Sequence, residues 1–91
     1  MAGIVAVIVK ILPESPDTNL EEIKNNAKRT LENHGALNIS FEEEPIAFGL
    51  KAIKAKFAWP EEKDTDLIEN SIKEIPHVSS VQIEDYRRAF G

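Results

Sequence analysis

Two segments of this chain are apolar along one helical face only, and that feature limits the available folds more than any other. Leu20, Ile23, Ala27 and Leu31 recur at three- and four-residue spacing, as do Leu67, Ile68, Ile72 and Ile75. Each set is a single stripe along an amphipathic helix, and a one-sided helix needs a second layer to bury that stripe. Four segments with strand character supply the layer. Residues 3–12 (GIVAVIVKIL) are rich in β-branched side chains and read as a central strand with both faces largely covered. Lys10, in phase with Ala6 and Ile8, opens one face near the end of that strand. In residues 36–43 (ALNISFEE), Leu37, Ile39 and Phe41 alternate with Asn38, Ser40 and Glu42, the mark of a half-buried strand. In residues 50–59, Ile53, Ala55, Phe57 and Trp59 face one way and Ala52, Lys54, Lys56 and Ala58 the other. Residues 78–86 (VSSVQIEDY) form the last strand, and Arg87-Arg88-Ala89-Phe90-Gly91 follow as a basic, partly apolar tail.

Turn and capping residues punctuate this pattern. PESPD, residues 13–17, stops the first strand. Thr18-Asn19-Leu20-Glu21 fits a capping box with Thr18 as the N-cap. The first helix ends over residues 33–35, with Gly35 as the C′ residue and His34 as an ordinary surface side chain beside it. Residues 60–66 (PEEKDTD) are a charged loop, Asp64 or Asp66 caps the second helix, and Pro76 ends it. The order strand, helix, strand, strand, helix, strand describes two βαβ units joined by a hairpin, each with a right-handed crossover. The fold class is therefore α+β: a ferredoxin-like βαββαβ sandwich, a four-stranded antiparallel sheet with both helices on one face.

At 91 residues the chain makes one domain, residues 1–91. With 42% hydrophobic and 30% charged residues it has the composition of an ordinary globular protein. There is no cysteine, which removes disulfides, thiolate metal sites and cysteine nucleophiles together and fits a reducing compartment. The start, MAGIVAVIVKIL, has no basic n-region and is too short to span a membrane, so it reads as a strand of a cytoplasmic protein. The net charge of −5 argues against nucleic acid as the main partner, because that affinity comes from neutralising phosphates with Lys and Arg. Another protein is the expected partner.

The candidate site is the stretch 42–53, EEEPIAFGLKAI. Pro45 cannot donate to a sheet ladder and marks an edge or a turn. Gly49 reaches backbone conformations closed to other residues, so Phe48 can sit at the tip of a turn. Two readings of Phe48 follow from the residues: an aromatic anchor for a partner's groove, or a hydrophobic plug on the domain's own sheet.

The fold supports many activities, and residue types must sort among them. Phosphate chemistry would need basic and amide donors after the first strand, where PESPD is acidic and interrupted by proline. RNA recognition on the sheet would need exposed aromatics on the central strands. The first strand has none, and the alternation places Phe57 and Trp59 on the helix side. Glu42, Glu43 and Glu44 point to alternate faces, so only two could converge on a cation, and a solvated acidic face is the simpler reading. No catalytic residue, metal site or cofactor is expected, and the chain does not read as an enzyme.

With these residues in view, the chain resembles the archaeal translation elongation factor 1-beta family, small relatives of the C-terminal exchange domain of the eukaryotic factor. The resemblance rests on LPESPDTNLEEI after the first strand, EEPIAFGLKAI at the hairpin and VSSVQIEDYRR at the close, in order and across nearly the whole chain. It implies a guanine-nucleotide exchange factor for elongation factor 1-alpha, and neither direct nucleic-acid contact nor a membrane. In the eukaryotic domain an aromatic in the matching PIxFG turn presses into the GTPase. That position is Phe48 here, so the resemblance favours the anchor over the plug. The resemblance thus points to Pro45, Ile46, Phe48, Gly49 and Lys51 as partner-binding. The eukaryotic domain also carries a lysine near its C-terminus that reaches the Mg²⁺ site. This chain ends Ala89-Phe90-Gly91 without one, leaving Arg87 and Arg88 as substitutes, although arginine's fork does not replace lysine's point charge. The alternative is a small RNA-associated domain using Lys51, Lys54 and Lys56 of the third strand as a basic stripe.

Overall fold

The computed structural model describes residues 3–89. The elements are β1 (Ile4–Pro13), α1 (Leu20–Asn33), β2 (Leu37–Pro45), a single 3-10 turn (Ala47–Gly49), β3 (Lys51–Pro60), α2 (Asp66–Lys73) and β4 (Val78–Ala89). They form one antiparallel sheet in the order β2-β3-β1-β4, with α1 and α2 packed on it, as a ferredoxin-like α+β sandwich.

The core is a single layer between helices and sheet. Val5, Val7, Val9 and Ile11 of β1 and Ile53, Ala55, Phe57 and Trp59 of β3 meet Ile23, Ala27 and Leu31 of α1 and Ile68 and Ile72 of α2. At roughly 2 kcal/mol for each large aliphatic side chain withdrawn from water, this layer is the main source of stability. Trp59 is fully buried; its ring meets Phe57 edge-on, with centroids 6.1 Å apart, and its indole N–H donates to the Lys63 carbonyl at 3.2 Å. Burying indole therefore leaves no unpaired donor.

β1 lies in the middle of the sheet, yet only its valine face is covered. Ile4 and Ala6 are exposed and Ile8, Lys10 and Leu12 half-buried, because both helices share one face and, among the described residues, no second layer covers the other. β-branched density marked a central strand but overstated its burial.

Several local expectations shift by a residue or two. The N-cap of α1 is Asn19, whose side chain accepts from the Glu22 N–H at 3.3 Å. The Thr18 hydroxyl oxygen instead accepts from the Ser15 N–H at 3.2 Å and closes the preceding turn. Asn and Thr are both good caps, and the turn decided between them. Gly35, at φ 93°, is the C′ residue: Ala36 N–H donates to Leu31 O and Gly35 N–H to Glu32 O, both at 3.0 Å, a Schellman closure. The N-cap position of α2 is Thr65, which makes no capping bond; Asp64 accepts from the Asp66 N–H at 3.0 Å. Leu67, expected in the stripe, is 39% exposed.

Two irregularities alter which side chains share a face. Between the pairs Leu37↔Ala58 and Ser40↔Lys56, β2 advances three residues while β3 advances two. The extra residue is absorbed at Asn38, which adopts φ 56°. Leu37 thereby turns to the uncovered face, 56% exposed, instead of joining Ile39 and Phe41 against the core. On β4, the register shifts between Ile8↔Asp85 and Val9↔Ile83, leaving Glu84 as the extra residue.

Candidate functional site

The candidate site is the β2–β3 turn. Pro45 and Lys51 are the last paired residues of the two strands, and residues 46–50 form the loop between them. Ile46 N–H donates to Leu50 O at 2.8 Å and Leu50 N–H donates to Ala47 O at 3.2 Å, so the loop closes on itself. Phe48 adopts φ 62°, ψ 28° and Gly49 follows at φ 78°. The residues had suggested positive φ for the glycine; the structure gives it to the aromatic as well. A left-handed backbone at a residue with a Cβ costs about 1–2 kcal/mol. Here it lifts the ring clear of the domain: Phe48 is 92% exposed, the most exposed of the large hydrophobic side chains described. The plug reading is therefore excluded for the protein as it stands. Of its neighbours in the chain, Pro45, Gly49 and Lys51 are exposed as well, and Ile46 is half-buried.

This turn sits at the end of the sheet where β1 leaves and β4 enters, at the pair Pro13↔Val78. The neighbouring β1–α1 turn approaches it closely. A side chain built on Gly49 would place its Cβ 3.9 Å from that of Pro16.

Arg87 and Arg88 are elsewhere. They lie within β4, which runs on to Ala89 instead of ending at Tyr86, and they pair with Ala6 and Val5 at the opposite end of β1. From Ala6 to Pro13 an extended strand covers roughly 23 Å, so the two arginines and Phe48 do not form one cluster. Consecutive strand residues also point to opposite faces. Arg87 pairs with Asp85 on the uncovered face at 3.0 Å, and Arg88 reaches Glu61 at 3.3 Å. Glu84, close by on the same strand, pairs with Lys54 at 3.4 Å. Phe90 and Gly91, where the eukaryotic lysine would be matched, lie outside the described residues.

The acidic run before the turn is engaged with lysines on both faces. Glu42 holds Lys56 at 2.9 Å and Glu44 holds Lys54 at 3.1 Å, with Lys10 at 3.7 Å, all on the uncovered face. Glu43 points the other way and holds Lys24 of α1 at 2.6 Å; Lys24 also reaches Glu21 at 3.0 Å. The hydrogen bond from Lys24 depresses the Glu43 carboxyl below the ordinary carboxylate range, and that from Lys54 does the same to Glu44. Both lysines are correspondingly raised, Lys24 chiefly by its bond to Glu43 and Lys54 chiefly by its bond to Glu44. Two of the three lysines of the suggested basic stripe are thus neutralised in place, and Phe57 and Trp59 are buried away from any base. Nothing favours the RNA reading.

Comparison with known proteins decides the family. The model of the EF-1 guanine nucleotide exchange domain matches residues 6–89. This chain belongs to that family. Elongation factor 1-beta of Desulfurococcus amylolyticus is 38% identical over 86 residues, covering 92% of this chain and 94% of the relative. The factor of the same name from Methanosarcina barkeri is 40% identical over 87 residues, covering 94% and 98%. That from Ignicoccus hospitalis is 37% identical over 86 residues, covering 92% and 90%. The EF-1 exchange-domain match spans both ends of the sheet, the Phe48 turn and the Arg87–Arg88 segment alike. No helix among the described residues is long and apolar enough to cross a membrane.

Proposed function

We propose that this chain, acting as a single exchange domain over residues 1–91, accelerates release of GDP from elongation factor 1-alpha in the cytoplasm and so lets GTP rebind. A guanine-nucleotide exchange role in translation elongation comes with family membership. The partner and the contact residues are the further step. The observation that carries it is Phe48, an aromatic 92% exposed on a turn closed by its own backbone hydrogen bonds. Large aromatics at the centre of an interface supply most of its binding energy. Pro45, Ile46, Gly49 and Lys51, at the same turn, would form the rest of the contact. GTPases hold GDP through phosphates and Mg²⁺ gripped by a phosphate loop and switch segments. A side chain wedged into the GTPase that shifts those segments weakens the grip, and no bond need be made or broken. Arg87 and Arg88 join only if the GTPase extends along the sheet to its far end, and on one face it meets only one of them.

The test is release of a fluorescent GDP analogue from elongation factor 1-alpha of the same organism, with and without this protein. Substoichiometric amounts should accelerate release, since an exchange factor turns over. With a folded protein and an active GTPase, an unchanged rate would reject the proposal.

A further inference from the structure

The acidic run does more than decorate an edge. β2 is an outer strand, bonded to the sheet on one side only, and side chains add to its hold near the turn. Glu43 and Glu44, the two residues before Pro45, do so from opposite faces. Glu43 ties the strand to α1 through Lys24 at 2.6 Å. Glu44 ties it to β3 through Lys54 at 3.1 Å and to β1 through Lys10 at 3.7 Å. Lys54 continues to Glu84 at 3.4 Å. Glu84 is the residue around which β4 bulges, so this charge chain draws one side chain from each of the four strands. Immediately beyond the tied residues the backbone enters the strained turn, where Phe48 holds φ 62°. Strain of that kind persists only where the surroundings over-determine it.

We infer that Glu43 and Glu44 are positioning residues: they clamp the end of β2 from both faces and hold the Phe48 turn in the one conformation that presents the ring. Neither need touch a partner. Their contribution to binding is to keep the competent conformation populated, since apparent affinity falls in proportion to that fraction. The exchange arm of this inference rests on the proposed function; the conformational arm does not.

The experiment compares wild type, the double variant Glu43→Gln/Glu44→Gln and the control Glu42→Gln, which loses an ion pair of similar length farther from the turn. Backbone ¹⁵N relaxation on the free protein reads order at Phe48 and Gly49. Wild type and the control should give order parameters near 0.85, and the double variant values below about 0.6. In the GDP-release assay the double variant should need about fivefold more protein for half-maximal acceleration, with the maximal rate unchanged. Order parameters in the double variant equal to wild type would overturn the inference whatever the exchange assay gives. So would loss of order with no change in the half-maximal concentration. If wild type itself fails to accelerate release, the proposed function falls, and the relaxation data alone decide whether the clamp exists.

Discussion

Phe48 and Trp59 stand at the two ends of the β3 hairpin arm and meet opposite fates. Trp59 is fully buried, its ring against Phe57 and its N–H bonded to the Lys63 carbonyl, which closes one end of the core. Phe48 is 92% exposed on a left-handed backbone that costs stability. The end of the sheet with Trp59 is finished by packing: Lys63 also donates to the His34 carbonyl at 2.6 Å and stitches the β3–α2 loop to the end of α1. At the end with Phe48, ion pairs hold the strands and the apolar side chain is left for something else. An aromatic at a position with no packing to offer, on a backbone it does not favour, adds little to the fold, in keeping with the contact proposed above.

The sharpest way to break this comparison is to truncate both aromatics. Phe48→Ala should reduce exchange on elongation factor 1-alpha by about 100-fold or more, the scale of an interface hot spot, while thermal unfolding stays near wild type. A drop in unfolding temperature of ten degrees or so would instead make Phe48 part of the fold. Trp59→Ala should do the reverse, costing about 3–5 kcal/mol in denaturant unfolding through the cavity it leaves. Its folded fraction should still catalyse exchange.

A smaller effect separates the ring of Phe48 from its backbone. Phe48→Asn places a residue tolerant of the left-handed region at φ 62° and should stabilise the fold by roughly 0.5–1 kcal/mol while exchange is lost. Equilibrium urea unfolding measures the gain. No gain would mean that the turn stores no strain.

Acid tests the clamp by a different route. The folded-state values of Glu43 and Glu44 lie below the ordinary 4.5, so their contribution to stability is present above that pH. It is lost as pH falls through their lowered values. Lys24 and Lys54 are raised above 10.5, so their contribution is complete below that pH and is lost as pH rises through the raised values. Stability followed by circular dichroism should therefore hold between these limits, and Glu43→Gln/Glu44→Gln should flatten the acid limb.

The smallest effect belongs to the far end. Arg87→Ala and Arg88→Ala remove exposed ion pairs and should each change stability by less than about 0.5 kcal/mol. Their exchange rates sharpen the picture: a loss in one only would identify the face of β4 that the GTPase covers.

The apolar periods of the two helices and of β3, the terminal glycine of α1 and the prolines at the turns were readable from the sequence, because each depends on residues close together in the chain. Propensity and face alternation are local, and they suffice for the element order, the fold class and most of the core. Register is not local. That Leu37 turns outward depends on β3 advancing two residues while β2 advances three past Asn38, which only the pairing of strands reveals. That Glu43 and Glu44 grip α1 and the sheet from opposite faces depends on where Lys24, Lys10 and Lys54 arrive from distant segments. The motif around Phe48 marked the candidate site, but its exposure was decided in three dimensions: the closed turn lies beyond the last paired residues, Pro45 and Lys51, and among the described residues no layer lies above it to receive the ring.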